Sequence, residues 1–290
     1  MRIQLEPKEL FNLDFTLCCG QVFRWDKHGE WWYGVVRDRA FKMRQIGDEM
    51  RFENAEASFV KSYFRLGDDL PQILSEINKD SHIKCAVDAF PGLRVLRQDP
   101  WECLISYICA TYKNISAVKQ MLANLSRRFG EKTAFEGNEF YTFPKPERLA
   151  KATNQELVRC GLGYRAKYVA ETARIVCDNG LGFERLKRLA YEEAEEELMD
   201  LPGVGLKVAD CVLLFSLEKL EAFPVDVWLK RIIQRHYANH FPEEFIAKVS
   251  NKRPLCNSEY QKLSLFGRSY FGKFAGYAQE YLYHYERTMR

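Results

Sequence analysis

A five-residue turn, Leu201-Pro202-Gly203-Val204-Gly205, limits this chain more than any other segment, because no regular element passes through it. Pro202 fixes one φ and donates no N–H, while Gly203 and Gly205 permit conformations and close approaches that a Cβ would block. The flanking sequence is helical in pattern. After the turn, Val208, Cys211, Val212 and Phe215 form an i, i+3, i+4, i+7 apolar stripe. Such a helix–turn–helix bares backbone N–H groups at the start of its second helix, a ready place for a phosphate. Lys207 stands beside the stripe, two residues past the last glycine. The helix dipole disfavours a cation there, so the position is expected to lower the amine's pKa and favour its nucleophilic form. Asp226 follows in Phe223-Pro224-Val225-Asp226 and can cap a helix whose stripe is Leu229, Ile232 and Ile233. Each part alone reads as a turn, a solvated lysine and a cap; their spacing is what points to chemistry.

Two patterns divide the rest. Val22–Trp25, Trp31–Arg37, Phe41–Ile46 and Met50–Glu53 read as a β-meander with Asp-Lys-His-Gly, Asp-Arg and Gly-Asp turns. From residue 99 the period becomes helical. Asp99, Pro100 and Glu102 predict an N-cap, an N1 proline and a capping box, followed by a buried stripe of Trp101, Leu104, Ile105 and Ile108. Val118, Met121, Leu122 and Leu125 repeat the stripe up to Gly130, and Thr153 with Glu156 predicts a further capping box before Gly161. The expected fold is α+β: an N-terminal antiparallel β-sheet domain over 1–95, then a mostly α-helical domain over 96–290.

The chain is 290 residues long and 47% apolar, enough for a substantial core. A net charge of +3 excludes a protein that coats nucleic acid without selectivity, so any DNA footprint must be local. Glu192–Glu197 reads as a solvated helix face. Arg185, Lys187, Arg188, Lys230, Arg231 and Arg235 either flank a DNA track or are ordinary surface charge. Nine scattered cysteines suit reduced thiols in an intracellular protein. No signal peptide and no membrane-spanning apolar run is visible, so an intracellular monomer beside the nucleoid, or in a nucleus, is expected.

The Leu-Pro-Gly-Val-Gly turn with Lys207 and Asp226 resembles the hairpin of the helix-hairpin-helix (HhH-GPD) DNA glycosylase superfamily. Gly20-Gln21-Val22-Phe23-Arg24-Trp25 is similar to a segment of its 8-oxoguanine DNA glycosylase/lyase branch, and Gln98–Leu104 and Gly161–Tyr168 agree with it. The resemblance implies a bifunctional enzyme acting on double-stranded DNA that contains 8-oxoguanine. Lys207 would attack C1′ and form a Schiff base, and β-elimination would then nick the strand. Asp226 would stabilise positive charge or orient the nucleophile. The carbonyl of Gly20 would read the N7–H that distinguishes the lesion from guanine. Gln279 would read the Watson–Crick edge, with Tyr283 and Cys211 on the two faces of the flipped base; a turn glycine and a core cysteine remain open alternatives. Phe274, Tyr277, Tyr281 and Tyr285 fall on a different stripe and read as core or interface.

Tyr164 and Arg165 resemble the wedge and the reader of the orphaned partner base, with Asn114, Gly203 and Gly205 as further DNA contacts. Two departures stand out. Eukaryotic members carry Asn-Asn-Asn with an arginine three residues later, where this chain has Tyr112-Lys113-Asn114 and Ala117; Trp228 replaces a usual histidine. Only Cys256 lies beyond the hairpin helix, so the iron–sulfur loop of endonuclease III-type relatives cannot be built there. No cofactor is expected to be required, although a weakly bound structural cation on the carbonyls of Met199, Leu201 and Val204 is compatible with such a loop. Two alternatives stay open: a glycosylase for oxidised pyrimidines or alkylated bases on the same scaffold, and a non-catalytic helix-hairpin-helix DNA-binding protein.

Overall fold

The computed structural model describes every residue except Pro7, Lys8, Lys252 and Arg290. The N-terminal body is a five-stranded antiparallel sheet built from β1 (Arg2–Gln4), β2 (Trp25–His28), β3 (Trp31–Val36), β4 (Arg39–Ile46) and β5 (Glu49–Glu53), in the order β1-β5-β4-β3-β2. Trp32 pairs with Met43 and Met43 with Phe52, so one face carries Trp25, Trp32, Phe41, Met43 and Phe52 into a core closed by Val60, Tyr63 and Phe64. Gly34 lets β3 pass under the Trp25 indole, since a Cβ there would lie 2.5 Å from the ring.

The expected first strand, Val22–Trp25, is displaced: pairing begins at Trp25 and runs through the segment read as a turn. The residues before it cannot pair because Gln21 ties them elsewhere. Its Nε2 donates to the carbonyls of Thr16 at 3.0 Å and Arg94 at 2.8 Å, and its Oε1 accepts from Leu96 N–H at 2.8 Å. β1 escaped the sequence reading because a three-residue edge strand has too little period to detect.

Helices at Ala57–Tyr63, Leu70–Ile77 and Ser81–Ala89 were also not expected. Asp69 and Asp80 cap the last two. Leu70, Ile73, Ile77 and Ile83 bury themselves in the core of the helical body, so that body draws on the N-terminal third of the chain. That core surrounds Pro100–Ala110 and Leu206–Ser216, packed against each other, and the C-terminal helix Ala275–Thr288, on which Tyr277 and Tyr281 are fully buried.

Asp99 caps Pro100–Ala110 as expected, but Glu102 does not complete a capping box. Its carboxylate pairs with Arg24 at 3.0 Å and so joins the two bodies. The box at Thr153 and Glu156 is present, and Gly130 terminates Ile115–Phe129. A two-stranded hairpin, Lys132–Phe135 with Asn138–Tyr141, turns through Glu136 and Gly137, both at positive φ. Glu136 reaches Lys42 on β4 and docks the hairpin on the sheet.

Candidate active site

The turn between helices Tyr191–Met199 and Leu206–Ser216 is tight for a local reason. Gly203 sits at φ +83°, and a Cβ on it would lie 2.8 Å from Tyr168. Val204 N–H closes the turn on the Leu201 carbonyl at 3.1 Å, and Thr172 Oγ1 holds the Pro202 carbonyl at 3.0 Å. Gly205 starts the second helix with no side-chain cap, and nothing approaches within 4 Å of where its Cβ would stand. The first N–H groups of that helix are therefore offered outward, in the geometry that suits a phosphate.

Lys207 rises from the first turn of this helix, half-buried, with Nζ 4.9 Å from the ring centroid of Tyr107. The ring is held on two sides: its hydroxyl donates to the Gln21 carbonyl at 3.1 Å, and it stacks on Phe215 at 5.6 Å. Cys211, one turn along, is buried beside Lys207; burial pushes its thiol up to about 12, against the lysine's charge. Asp226 caps Val227–His236, accepting from the N–H groups of Trp228 and Leu229, both at 2.9 Å. Burial raises its carboxyl above the usual range, opposed by those N–H groups and by Lys207. An amine and a carboxylate held by separate helices thus stand within each other's electrostatic reach.

Gly20 stands at φ +105° beside Ile115, Tyr283 and Arg287. That φ is one L side chains rarely adopt, and a Cβ would also press on Ile115 at 3.1 Å and touch Tyr283 and Arg287 at 3.4 Å, so the backbone conformation calls for glycine. Gln279 is buried and its Oε1 has no hydrogen-bond partner, an unusual cost unless a donor arrives. Tyr283 is half-buried, with the Arg287 guanidinium 5.3 Å over its ring. The structure thus draws Lys207, Cys211, Asp226, Gly20 and Tyr283 toward one another, with Gln279 on the same helix as Tyr283.

The residues expected to meet DNA outside the pocket are placed differently. Tyr164 is 54% exposed, as a wedge needs. Arg165 is buried and lies 4.4 Å over Tyr164, with its guanidinium donating to the carbonyls of Thr111 and Leu162. Its donors are thus directed at the protein rather than outward. Asn114 caps Ile115–Phe129, its Oδ1 taken by Ala117 N–H and Ser116 Oγ. Tyr112 is 78% exposed at φ +53°, an uncommon conformation for an aromatic residue. Among the basic groups read as a DNA flank, Arg185, Lys187 and Arg235 pair with Glu197, Glu184 and Glu286, whereas Arg231 is exposed and lies 5.2 Å over Trp228.

Sequence reasoning missed three contributors. Tyr107 was invisible because nothing in the sequence sets it apart from the other apolar residues of the Pro100–Ala110 helix. Gln21 lies in the quoted Gly-Gln-x-Phe-Arg-Trp segment, but its bonds reach residues far along the chain. Glu280 is a buried carboxyl that shares its helix with Gln279 and Tyr283, and only its departure from the apolar pattern marks it.

The 8-oxoguanine DNA glycosylase N-terminal domain family matches residues 2–104, and the HhH-GPD superfamily of base excision DNA repair proteins matches residues 105–251. The chain belongs to the 8-oxoguanine DNA glycosylase branch of the HhH-GPD superfamily. It is similar to the N-glycosylase/DNA lyase of Arabidopsis thaliana, 32% identical over 97% of this chain and 78% of that one. It is similar to the probable N-glycosylase/DNA lyase of Methanothermobacter thermautotrophicus, 34% identical over 72% of this chain and 68% of that one. A solved structure of the Clostridium acetobutylicum 8-oxoguanine glycosylase/lyase, in complex with double-stranded DNA containing cytosine opposite 8-oxoguanine, superposes with a TM-score of 0.84 at 32% identity, covering 96% of this chain and 92% of that one.

Proposed function

We propose that this protein releases 8-oxoguanine from duplex DNA and then cuts the strand at the resulting abasic site. The observation that carries the reading is the convergence of Lys207 and Asp226, together with a turn whose backbone calls for glycine at position 20. The target nucleotide leaves the stack, and the cost of unstacking is met by contacts in the pocket. The Gly20 carbonyl accepts the N7–H of the lesion; in guanine the same position presents a lone pair, a difference of about 1–3 kcal/mol. Gln279 Oε1 takes a donor from the Watson–Crick edge, and Tyr283 and Cys211 enclose the two faces.

The amine of Lys207 attacks C1′ as the base departs with the bonding electrons. Asp226 offsets the positive charge that develops on the sugar. Collapse to a Schiff base makes the C2′ proton acidic; its loss expels the 3′ phosphate and breaks the strand. Donors from the uncapped helix start after Gly205 hold a backbone phosphate of the flipped nucleotide's strand.

The reaction is proposed to need no cofactor. A structural cation on the hairpin would have backbone oxygens only, since no group of three or more His, Cys, Asp or Glu residues fit for a metal occurs among the described residues. Of the three carbonyls named for it, that of Leu201 already accepts Val204 N–H, which fits weak binding at most. A genomic substrate argues for a location with the chromosome, and no helix among the described residues is long and apolar enough to cross a membrane. The test is a panel of duplexes carrying 8-oxoguanine, guanine, an oxidised pyrimidine or 3-methyladenine, with base release and strand cutting scored separately. Release confined to the 8-oxoguanine duplex, followed by cutting, is expected; stronger release of the pyrimidine or methyladenine would overturn the substrate assignment.

A further inference from the structure

A second carboxyl, Glu280, lies within the electrostatic reach of Lys207 and Asp226 and has no part in the reaction above. Glu280 is 2% exposed, its Oε1 has no hydrogen-bond partner, and the Cys19 thiol lies against it. The titratable and charged groups that act on it are Cys19 in the turn before Gly20, Tyr107 on the Pro100–Ala110 helix, and Tyr283 and Arg287 on its own helix. Cys19 Sγ accepts from Gln21 Nε2 at 3.2 Å, and the Gln21 carbonyl holds the Tyr107 hydroxyl, whose ring lies 4.9 Å from the Lys207 amine. The charges of Lys207 and Asp226 also act on it. A buried carboxyl with an unpaired oxygen destabilises a fold, and an apolar residue of similar size would serve packing better. The two carboxyls are also set apart. Asp226 has two backbone N–H donors to hold its charge, whereas Glu280 Oε1 has no donor and the Cys19 thiol is the partner of the carboxyl. Burial accordingly pushes the Glu280 carboxyl up to about 7, with Asp226 adding to the rise and Cys19, Arg287 and Lys207 opposing it. Two neighbouring carboxyls in unlike surroundings take unlike roles, one as the standing charge and one as the proton carrier.

We propose that Glu280 is the proton acceptor that converts the Lys207 ammonium into the attacking amine. This rests on the reading above that the chain releases 8-oxoguanine through Lys207. The proton passes from Nζ to a Glu280 oxygen, directly or through one water. The freed nitrogen pair forms the bond to C1′, the C1′–N9 electrons leave with the base, and water protonates the base. Asp226 keeps its charge throughout.

The experiment is single-turnover base release from an 8-oxoguanine duplex across a pH range of about 6 to about 10, for the wild type, Glu280→Gln and Glu280→Asp, with lesion-duplex affinity measured alongside. The wild type should gain rate through an ionisation near neutrality. Glu280→Gln should bind the duplex normally, lose roughly a hundredfold in rate near neutral pH, lose that ionisation, and recover toward the wild type in alkali, where bulk solvent can deprotonate the lysine. Glu280→Asp should fall between them. Wild-type rate and profile in Glu280→Gln would overturn the proposal. Should that variant fail to bind the duplex, Glu280→Asp carries the test: withdrawing the carboxyl by one methylene must slow release and displace the midpoint, and an unchanged profile overturns the proposal. A wild type inactive on 8-oxoguanine would instead sink the functional reading on which the proposal stands.

Discussion

Lys207 holds its amine 4.9 Å from the ring centroid of Tyr107, and Tyr107 in turn is fixed by its hydroxyl bond to the Gln21 carbonyl. The proposed nucleophile therefore rests on a support that belongs to the same scaffold as the Gly20 turn. Tyr107→Phe keeps the ring and loses one hydrogen bond, so it should cost about 1 kcal/mol of stability with little effect on rate. Tyr107→Leu removes the aromatic face that places the amine and should slow base release by about tenfold through lost orientation of the nucleophile. Chemical denaturation and single-turnover kinetics measure the two effects separately.

Gln21→Ala should be among the most destabilising changes near the pocket. It strands the buried N–H of Leu96 and the carbonyls of Thr16 and Arg94, for a loss of about 3 kcal/mol. Because the same side chain fixes the Gly20 turn, the surviving folded protein should also discriminate less between 8-oxoguanine and guanine. Urea unfolding and a competition assay with undamaged duplex check this; unimpaired discrimination would detach Gln21 from lesion reading.

Asp226 separates its two roles by substitution. Asn remains a competent cap, so Asp226→Asn should fold with near wild-type stability and yet release base slower by orders of magnitude. Asp226→Ala should lose the rate and, in addition, about 1 kcal/mol of stability with the cap. Equal stability of the two variants would mean that the bonds to Trp228 and Leu229 N–H contribute nothing.

Burial pushes Glu280 up to about 7 and Asp210, bound by Tyr191, Tyr260 and Ser264, up to about 6. Both folded-state values lie above their unfolded ones, so the folded chain retains these protons longer. Stability from each declines as pH rises from about 4 to about 7, by about 3 kcal/mol apiece. His284, which burial lowers to about 4, acts in the opposite direction: its share is lost as pH falls below the ordinary histidine range. The difference between wild type and Glu280→Gln isolates one group. The variant should be the more stable near pH 8, with its advantage fading toward about pH 4. Thermal unfolding at several pH values reads this out, and an advantage independent of pH would mean that Glu280 does not titrate.

What the sequence disclosed follows from where each signal resides. The hairpin, the Asp226 cap and the helix stripes are local and periodic, so spacing reveals them. Gly20 drew notice through a resemblance, but the reason for glycine, a φ of +105° with the Ile115 side chain pressed close, exists only in the folded chain. Tyr107, Gln21 and Glu280 act through partners scattered along the chain, and nothing periodic marks such a residue. The helices at Leu70–Ile77 and Ser81–Ala89 were missed for the same reason, because they bury against elements that come much later in the chain.

Opposite-base preference should be weak. Tyr112 and Ala117 supply no fork of donors, and the Arg165 guanidinium is bound to the carbonyls of Thr111 and Leu162. A wrong partner base then leaves few buried donors stranded, so release opposite adenine, guanine or thymine should fall only modestly below release opposite cytosine. Kinetics on the four 8-oxoguanine duplexes measure it, and a preference for cytosine of about a thousandfold or more would contradict the argument from missing donors.

Borohydride trapping on an 8-oxoguanine duplex bears most directly on Lys207 as the nucleophile. Reduction of the imine should link the wild-type protein covalently to the cut strand, and peptide mapping should place the DNA on Lys207. Lys207→Gln should bind the lesion duplex, release no base and give no adduct. A covalent adduct formed by Lys207→Gln at wild-type yield, or mapped to another residue in the wild type, would contradict the assignment.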